Sequence, residues 1–324
     1  MQARWVGCGT ALVTPFTASG DVDEAAVRRL ARRQVDGGVH FLVPCGTTGE
    51  SPTLSHAEKL RVVELVADET NGAIPVLAGA GGYDTRAAIG LVRDLAGVGA
   101  TGILSVTPYY NKPTPEGLYR HYGAIADSTE LPIVLYNVPG RTACNIAPAT
   151  LLRLTEIANV VGVKEASGDL GQIGEICRAV PDDFCVLSGD DAFALAVMAL
   201  GGTGVISVIS NEAPGEMAAL VDQAAAGDFA AARATHERLL PLMQVNFIES
   251  NPIPVKAAMA ELGLLDLNYR LPMCPPAPAA RARIAEVPIE FAPRHAGESK
   301  MSFAIMLEGL LLVLRLRLGL GGRK

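Results

Sequence analysis

No Cys-x-x-Cys pair occurs in the 324-residue chain, and its six cysteines (Cys8, Cys45, Cys144, Cys177, Cys185 and Cys274) stand apart. With no histidine cluster to complete a ligand set, that spacing argues against a zinc site, and no metal is expected. Cys8, Cys45 and Cys185 fall in strand-like runs, where a free thiol behaves as a small buried hydrophobe. The chain also lacks a basic excess. Its formal net charge of -7 argues against a nucleic-acid or membrane-surface partner, because an acidic surface attracts neither. Any anionic ligand must therefore meet a local cation. The opening stretch MQARWVGCGTALVTPF shows no basic segment followed by an apolar signal core, so a cytoplasmic location is expected. Near the other end, MSFAIMLEGLLLVLRLRLGLGGRK is apolar, yet it is too short to span a bilayer and is interrupted by Glu308, Arg315 and Arg317. No Gly-x-Gly-x-x-Gly follows the first strand-like run, which sets aside a dinucleotide-binding sheet.

What is present is an alternation. Short apolar runs (CGTALVTPF, HFLVPCG, IPVLAGAG, GILSVTP, PIVLYN, VVGVKE, FCVLSG, TGVISV) alternate with amphipathic stretches such as DEAAVRRLARRQVDGG, SHAEKLRVVELVADET and DTRAAIGLVRDLAGVG. Several of the latter end in glycine, a common residue at helix C-termini. Strand and helix repeated eight times imply parallel pairing with right-handed crossovers, and eight units close into an α/β (β/α)8 TIM barrel. The barrel is expected over residues 1–227. From 228 to 293 only helical patterns follow, which predicts a small helical region packed on the barrel and offering a subunit contact. Residues 294–324 are an atypical tail, either a surface helix or a disordered extension.

Polar motifs follow directly on the strand runs: GTTGES, TPYYNKP, YNVPGRT, KEASGD and SGDD. In a barrel these positions form the C-terminal rim, where active sites are assembled from several loops. Among them is Lys164, at the end of the valine-rich run VVGVKE. A strand-end lysine ordinarily caps the strand and extends its amine to water. Here it is one of a convergent set. Burial favours the neutral amine, which can attack a ketone or aldehyde and form a Schiff base that serves as an electron sink. That reaction needs a proton shuttle, and Tyr136, ending PIVLYN, is the best placed for it. Tyr110 and Thr47 can relay the proton outward through hydroxyl-to-hydroxyl hydrogen bonds. The GTTGES loop suits a small carboxylate or phosphate, and it lacks the Lys-Ser/Thr ending of a nucleotide-binding loop. Arg141 in PGRT supplies the local cation, a planar clamp for a second carboxylate, although a surface salt bridge is its plainer reading.

Taken in order, GTALVTPF, GTTGES, TPYYNKP, YNVPGRT, VGVKEASGD, SGDD, GVISV and ESNPIPVKAA resemble the dihydrodipicolinate synthase family from about Val6 to about Val287. Lys164 and Tyr136 alone would indicate only the wider pyruvate-dependent Schiff-base aldolases; YYNKP, PGRT and ESNPIPVK point to the synthases within them. The resemblance implies that Lys164 forms the Schiff base with pyruvate and that Tyr136 donates and accepts protons. It implies a relay through Thr47 and Tyr110, the latter from a neighbouring subunit. Thr48 and Ile206 would hold pyruvate, with Gly189 also in the substrate site, and Arg141 would hold the carboxylate of L-aspartate 4-semialdehyde. The implied product is 4-hydroxy-tetrahydrodipicolinate, made for lysine and diaminopimelate biosynthesis without metal or organic cofactor, by a homotetramer built as a dimer of tight dimers. The alternatives are another pyruvate-dependent aldolase of the sugar-acid or sialic acid lyase type, and a catalytically silent binding or scaffolding relative.

Two departures from the family stand out. Lysine-inhibited members bind that amino acid through polar residues of which Ser51, His56 and Tyr109 are matched here. Lys59 replaces a histidine, and Tyr83 and Ala87 stand where an asparagine and a glutamate would receive the effector's ammonium. Feedback by lysine is therefore expected to be weak or absent. The tail is the second departure, since members of the family finish soon after the last helix.

Overall fold

The computed structural model describes residues 5–287. The tail expected at 294–324, and the end of the helical region beyond 287, lie outside the described residues. Eight parallel strands form one sheet: β1 (Gly7–Ala11), β2 (Phe41–Val43), β3 (Leu77–Gly79), β4 (Gly102–Val106), β5 (Ile133–Asn137), β6 (Val160–Glu165), β7 (Cys185–Ser188) and β8 (Gly204–Ser207). The strand order runs β2-β1-β8-β7-β6-β5-β4-β3. A parallel bridge between Leu42 and Val76 closes the circle, with Leu42 N donating to Pro75 O at 3.0 Å and Gly79 N to Pro44 O at 2.9 Å. The fold is a TIM barrel.

The apolar runs for the second and third strands are longer than the strands they form, which span three residues each. Pro44 follows β2 directly and has no N–H to donate, so there its backbone only accepts, from Gly79 N. Cys45 then takes a left-handed backbone with φ 58. Its expected place in a strand is thus corrected: it lies on the rim.

Helices follow the strands as the amphipathic patterns imply: α1 (Glu24–Asp36), α2 (His56–Thr70), α3 (Thr85–Ala96), α4 (Pro115–Ala126), the single turn α5 (Pro139–Thr142), α6 (Pro148–Leu154), α7 (Leu170–Ala179), α8 (Ala194–Ala199) and α9 (Pro214–Ala225). Their starts are chemically marked. Ser55 and Glu58 form a capping box on α2, and the carboxylates of Asp23, Asp84 and Asp169 cap α1, α3 and α7. Three more helices complete the described chain, α10 (Phe229–Val245), α11 (Ile253–Glu261) and α12 (Pro278–Glu286).

Strand parity sorts the core into two shells. Leu42, Ile103, Ile133, Leu135 and Val163 face the helices, while Phe41, Leu77, Leu104, Val134, Leu187 and Ile206 fill the barrel. Trp5 joins the inner shell against the Phe41 ring, with centroids 5.4 Å apart. Burying each such side chain contributes about 1.5–3 kcal/mol. Because Val163 faces outward, the next residue, Lys164, is turned into the barrel. A third cluster joins α8 and α9 to α10, with Leu220, Val221, Leu239 and Leu242 at its centre.

Candidate active site

Lys164 pairs in register with Tyr136 on β5 and Leu187 on β7. It is 5% exposed, and its Nζ lies over the Tyr136 ring, 4.3 Å from the centroid. No described residue gives that amine a hydrogen bond or an ion pair. Gly189 explains how the side chain fits. A Cβ at that position would fall 3.1 Å from Lys164 Cε and 2.5 Å from Ala166 Cβ, so glycine keeps the space around the amine open. The neighbouring carboxylate, Glu165, is committed elsewhere. It accepts from Ser167 N at 2.7 Å, from Asn137 Nδ2 at 3.0 Å and from Gln172 Nε2 at 3.3 Å.

Beside Tyr136 opens a cavity of about 270 Å3, whose wall does not include Lys164 or Gly189. Its wall brings together three of the expected residues, Thr47, Tyr136 and Arg141. The Tyr136 and Thr47 hydroxyls make no hydrogen bond to each other, although both residues line one cavity wall. The other expected residues lie outside that wall. Thr48 is buried, its Oγ1 accepting from Asn251 Nδ2 at 3.0 Å. Ile206 is sealed in the inner shell of the barrel. Tyr110 has a left-handed backbone (φ 74) and is 92% exposed. Within one chain it does not meet Thr47 or Tyr136.

The motif ESNPIPVK turns out to be a strap across the rim, a role that sequence reading missed. Asn251 holds Thr48 through its amide and Arg141 through its backbone carbonyl, which accepts from the guanidinium at 3.2 Å. Lys256, five residues on, is fully buried. Its Nζ donates to Glu50 Oε1 at 2.6 Å and to Thr14 O at 3.1 Å, and it lies over the rings of Phe16 and Tyr269. Burial pulls this ammonium below its ordinary pKa, and the Glu50 carboxylate opposes that fall. Glu50 itself has φ 52, so the ion pair secures a strained bend in the GTTGES loop. A signal was there to be read: a lysine in an apolar segment, the same signal that picked out Lys164.

A second cleft, of about 260 Å3, adjoins the first and shares Lys59, Gly81 and Tyr109 with it. It contains His56, Tyr83 and Ala87, while Ser51 lines the first cavity. His56 is engaged by Asp94 at 2.8 Å, and the Tyr83 and Tyr109 rings meet edge to face at 5.3 Å. Cys45 also borders the first cavity. Burial pushes its thiol up to about 12, so it stays protonated and inert near neutrality.

After β7 and β8 lie two buried carboxyls, Asp191 and Glu212, without cationic partners as close as Lys256 is to Glu50. Asp191 accepts from Val208 N at 2.9 Å and Ile209 N at 3.1 Å, and burial pushes its carboxyl up to about 6. Glu212 accepts from Asn246 Nδ2 at 2.6 Å, and burial raises it well above the usual carboxylate range. Among the described residues no helix is long and apolar enough to cross a membrane.

Eight parallel strands, with a buried and unpaired lysine at the carboxyl end of the sixth beside a cavity lined by hydroxyls and a guanidinium, place the chain among the TIM-barrel enzymes. More narrowly, it belongs to the dihydrodipicolinate synthetase family, whose model matches residues 5–287. It is 52% identical over 285 residues to the 4-hydroxy-tetrahydrodipicolinate synthase of Koribacter versatilis, covering 88% of this chain and 95% of that one. The crystal structure of dihydrodipicolinate synthase from Aquifex aeolicus superposes with a TM-score of 0.87 at 42% identity, covering 89% of this chain and 98% of the other. That of the Thermotoga maritima enzyme gives the same TM-score of 0.87 at 43% identity, with 89% and 99% covered.

Proposed function

We propose that this enzyme condenses pyruvate with L-aspartate 4-semialdehyde through a Schiff base on Lys164, giving 4-hydroxy-tetrahydrodipicolinate for lysine and diaminopimelate biosynthesis. One observation carries the reading: Lys164 is buried to 5% exposure with no polar partner, its amine stacked 4.3 Å from the Tyr136 ring centroid. Nothing in packing alone calls for an unpaired ammonium there. The names of the relatives carry the product, and the substrate pair is the one that the family resemblance implies.

The chemistry follows from the groups at hand. The amine adds to the ketone of pyruvate, and Tyr136 returns a proton to the resulting oxygen so that water can leave. Loss of a methyl proton turns the iminium into an enamine, whose carbon forms the new bond to the aldehyde carbon. The aldehyde oxygen gains a proton and becomes the hydroxyl. The amine of the second substrate then displaces Lys164 and closes the ring, so the lysine is regenerated. Arg141, fixed by Asn251, offers a planar fork to the second substrate's carboxylate. Thr47 passes the proton onward, and Thr48, Ile206 and Gly189 shape the pyruvate end.

We further infer a homotetramer, a dimer of tight dimers, in which Tyr110 completes the relay of a neighbouring copy. An aromatic ring 92% exposed on a strained backbone suits such a donated residue. The proposed division is a catalytic barrel at 1–227 and a helical region at 228–293, with a cytoplasmic location. The test is pyruvate consumption by the purified protein with a panel of aldehydes. Turnover confined to aspartate semialdehyde is expected; preference for a sugar-derived aldehyde would overturn the substrate assignment and leave Arg141 without its role.

A further inference from the structure

We propose that Lys59 is the cation that draws pyruvate into the active-site cavity, a claim that rests on the Schiff-base reading of Lys164. Two cations border that cavity, Lys59 and Arg141, and no carboxylate does. Arg141 is tied to the Asn251 carbonyl and is assigned to the second substrate. Lys59 is uncommitted.

Three features set this lysine against ordinary preference. It is half-buried, and its ammonium has no ion pair or hydrogen bond among the described residues. By contrast Arg28, Arg32, Arg61, Arg153 and Arg270 each meet a carboxylate. It also stands in the first turn of α2, where the helix dipole disfavours a positive charge. Finally, its titratable neighbour, Cys45, is held protonated and so offers no counter-charge. Burial lowers the affinity of Lys59 for its proton, as expected of an uncompensated cation.

An arriving anion offsets all three. Pyruvate is a small monoanion approaching a chain of formal net charge -7, so a local positive field is what sets its rate of arrival. Lys59 borders both the active-site cavity and the adjoining cleft, which puts its charge where the two spaces meet. It acts on recruitment and makes no bond in the reaction.

The test is the rate at which pyruvate becomes trapped on the protein by borohydride, followed by mass spectrometry across a salt series. For the parent enzyme the rate is expected to fall as salt rises, because screening weakens the attraction. Lys59→Met is expected to slow trapping about 5-fold at low salt and to flatten the salt dependence, and Lys59→Arg to restore both. A structural role would leave the salt slope unmoved. A parent rate indifferent to salt would overturn the proposal without any variant. So would a Lys59→Met protein with the parent's rate and slope. Failure of the parent to trap pyruvate at all would overturn the Lys164 reading as well, which separates the two claims.

Discussion

Lys164 and Lys256 are both lysines in the interior, at 5% and 0% exposure, and they do opposite things. Lys256 has a carboxylate at 2.6 Å, a carbonyl at 3.1 Å and two aromatic rings around its ammonium. Every polar demand is met, and the residue holds the rim together. Lys164 has one ring and nothing else. Burial alone therefore does not separate the lysine proposed to react from a structural one; the missing partner does. No carboxylate occupies the Lys164 amine, so it is free to meet a carbonyl carbon. An ammonium with a buried carboxylate is held in place by it, as Lys256 is by Glu50.

Replacing each lysine should separate the two roles. Lys164→Ala is expected to lower turnover by roughly 10^4-fold or more while the thermal midpoint stays close to the parent's. Initial rates and a circular-dichroism melt check both halves; activity near the parent's would break the contrast. Lys256→Met does the converse. It leaves Glu50 buried without its cation and is expected to lower unfolding free energy by about 3–5 kcal/mol in a denaturant titration. The double change with Glu50→Gln removes the stranded charge and should recover most of that loss.

Carboxylates sharpen the same contrast. Glu50 shares its site with a cation, whereas Asp191, with no such partner, has been pushed up to about 6, chiefly by burial. The folded chain thus keeps a proton that the unfolded chain releases near its ordinary pKa of about 4. This group's contribution is most favourable below that value, declines as pH rises toward 6 and is level beyond it. Asp191→Asn keeps the acceptor for Val208 N and Ile209 N but cannot ionise. It is expected to flatten the decline, gaining on the order of 3 kcal/mol over the parent above pH 6 in pH-dependent denaturant melts. Parent and Asp191→Asn curves that run parallel between pH 4 and 6 would contradict this.

The smallest effect concerns the second cleft. Tyr83 and Ala87 border it and bring no carboxylate, the one carboxylate in its lining, Asp84, caps α3 through Arg86 N and Ala87 N, and the His56 imidazole is already taken by Asp94. Free lysine is expected to inhibit weakly or not at all, since its ammonium finds little there to replace water. Strong inhibition at sub-millimolar lysine in an initial-rate assay would overturn that.

Much of the barrel could be read from the chain, because short apolar runs and amphipathic helices each depend on a few adjacent residues. Lys164, Tyr136, Thr47 and Arg141 could be found because they follow strand runs directly, and strand ends in a barrel converge. What escaped was long-range. The end of β2 is marked by Pro44, but the rim position of Cys45 follows only once β3 closes against it. The strap residues Asn251 and Lys256 lie over 200 positions from their partners Thr48 and Glu50, and no local pattern announces such a pairing. Tyr110 was legible in the YYNKP motif, yet within one chain it stands 92% exposed, and only the proposed neighbouring copy would put it to use.

The central claim is that the unpaired lysine is the one that reacts. The direct measurement is borohydride reduction in the presence of pyruvate, followed by peptide mapping of the whole protein. The expected result is a single modified site, on the peptide carrying Lys164, with Lys256 untouched. Modification of another lysine, or of none, would contradict the account.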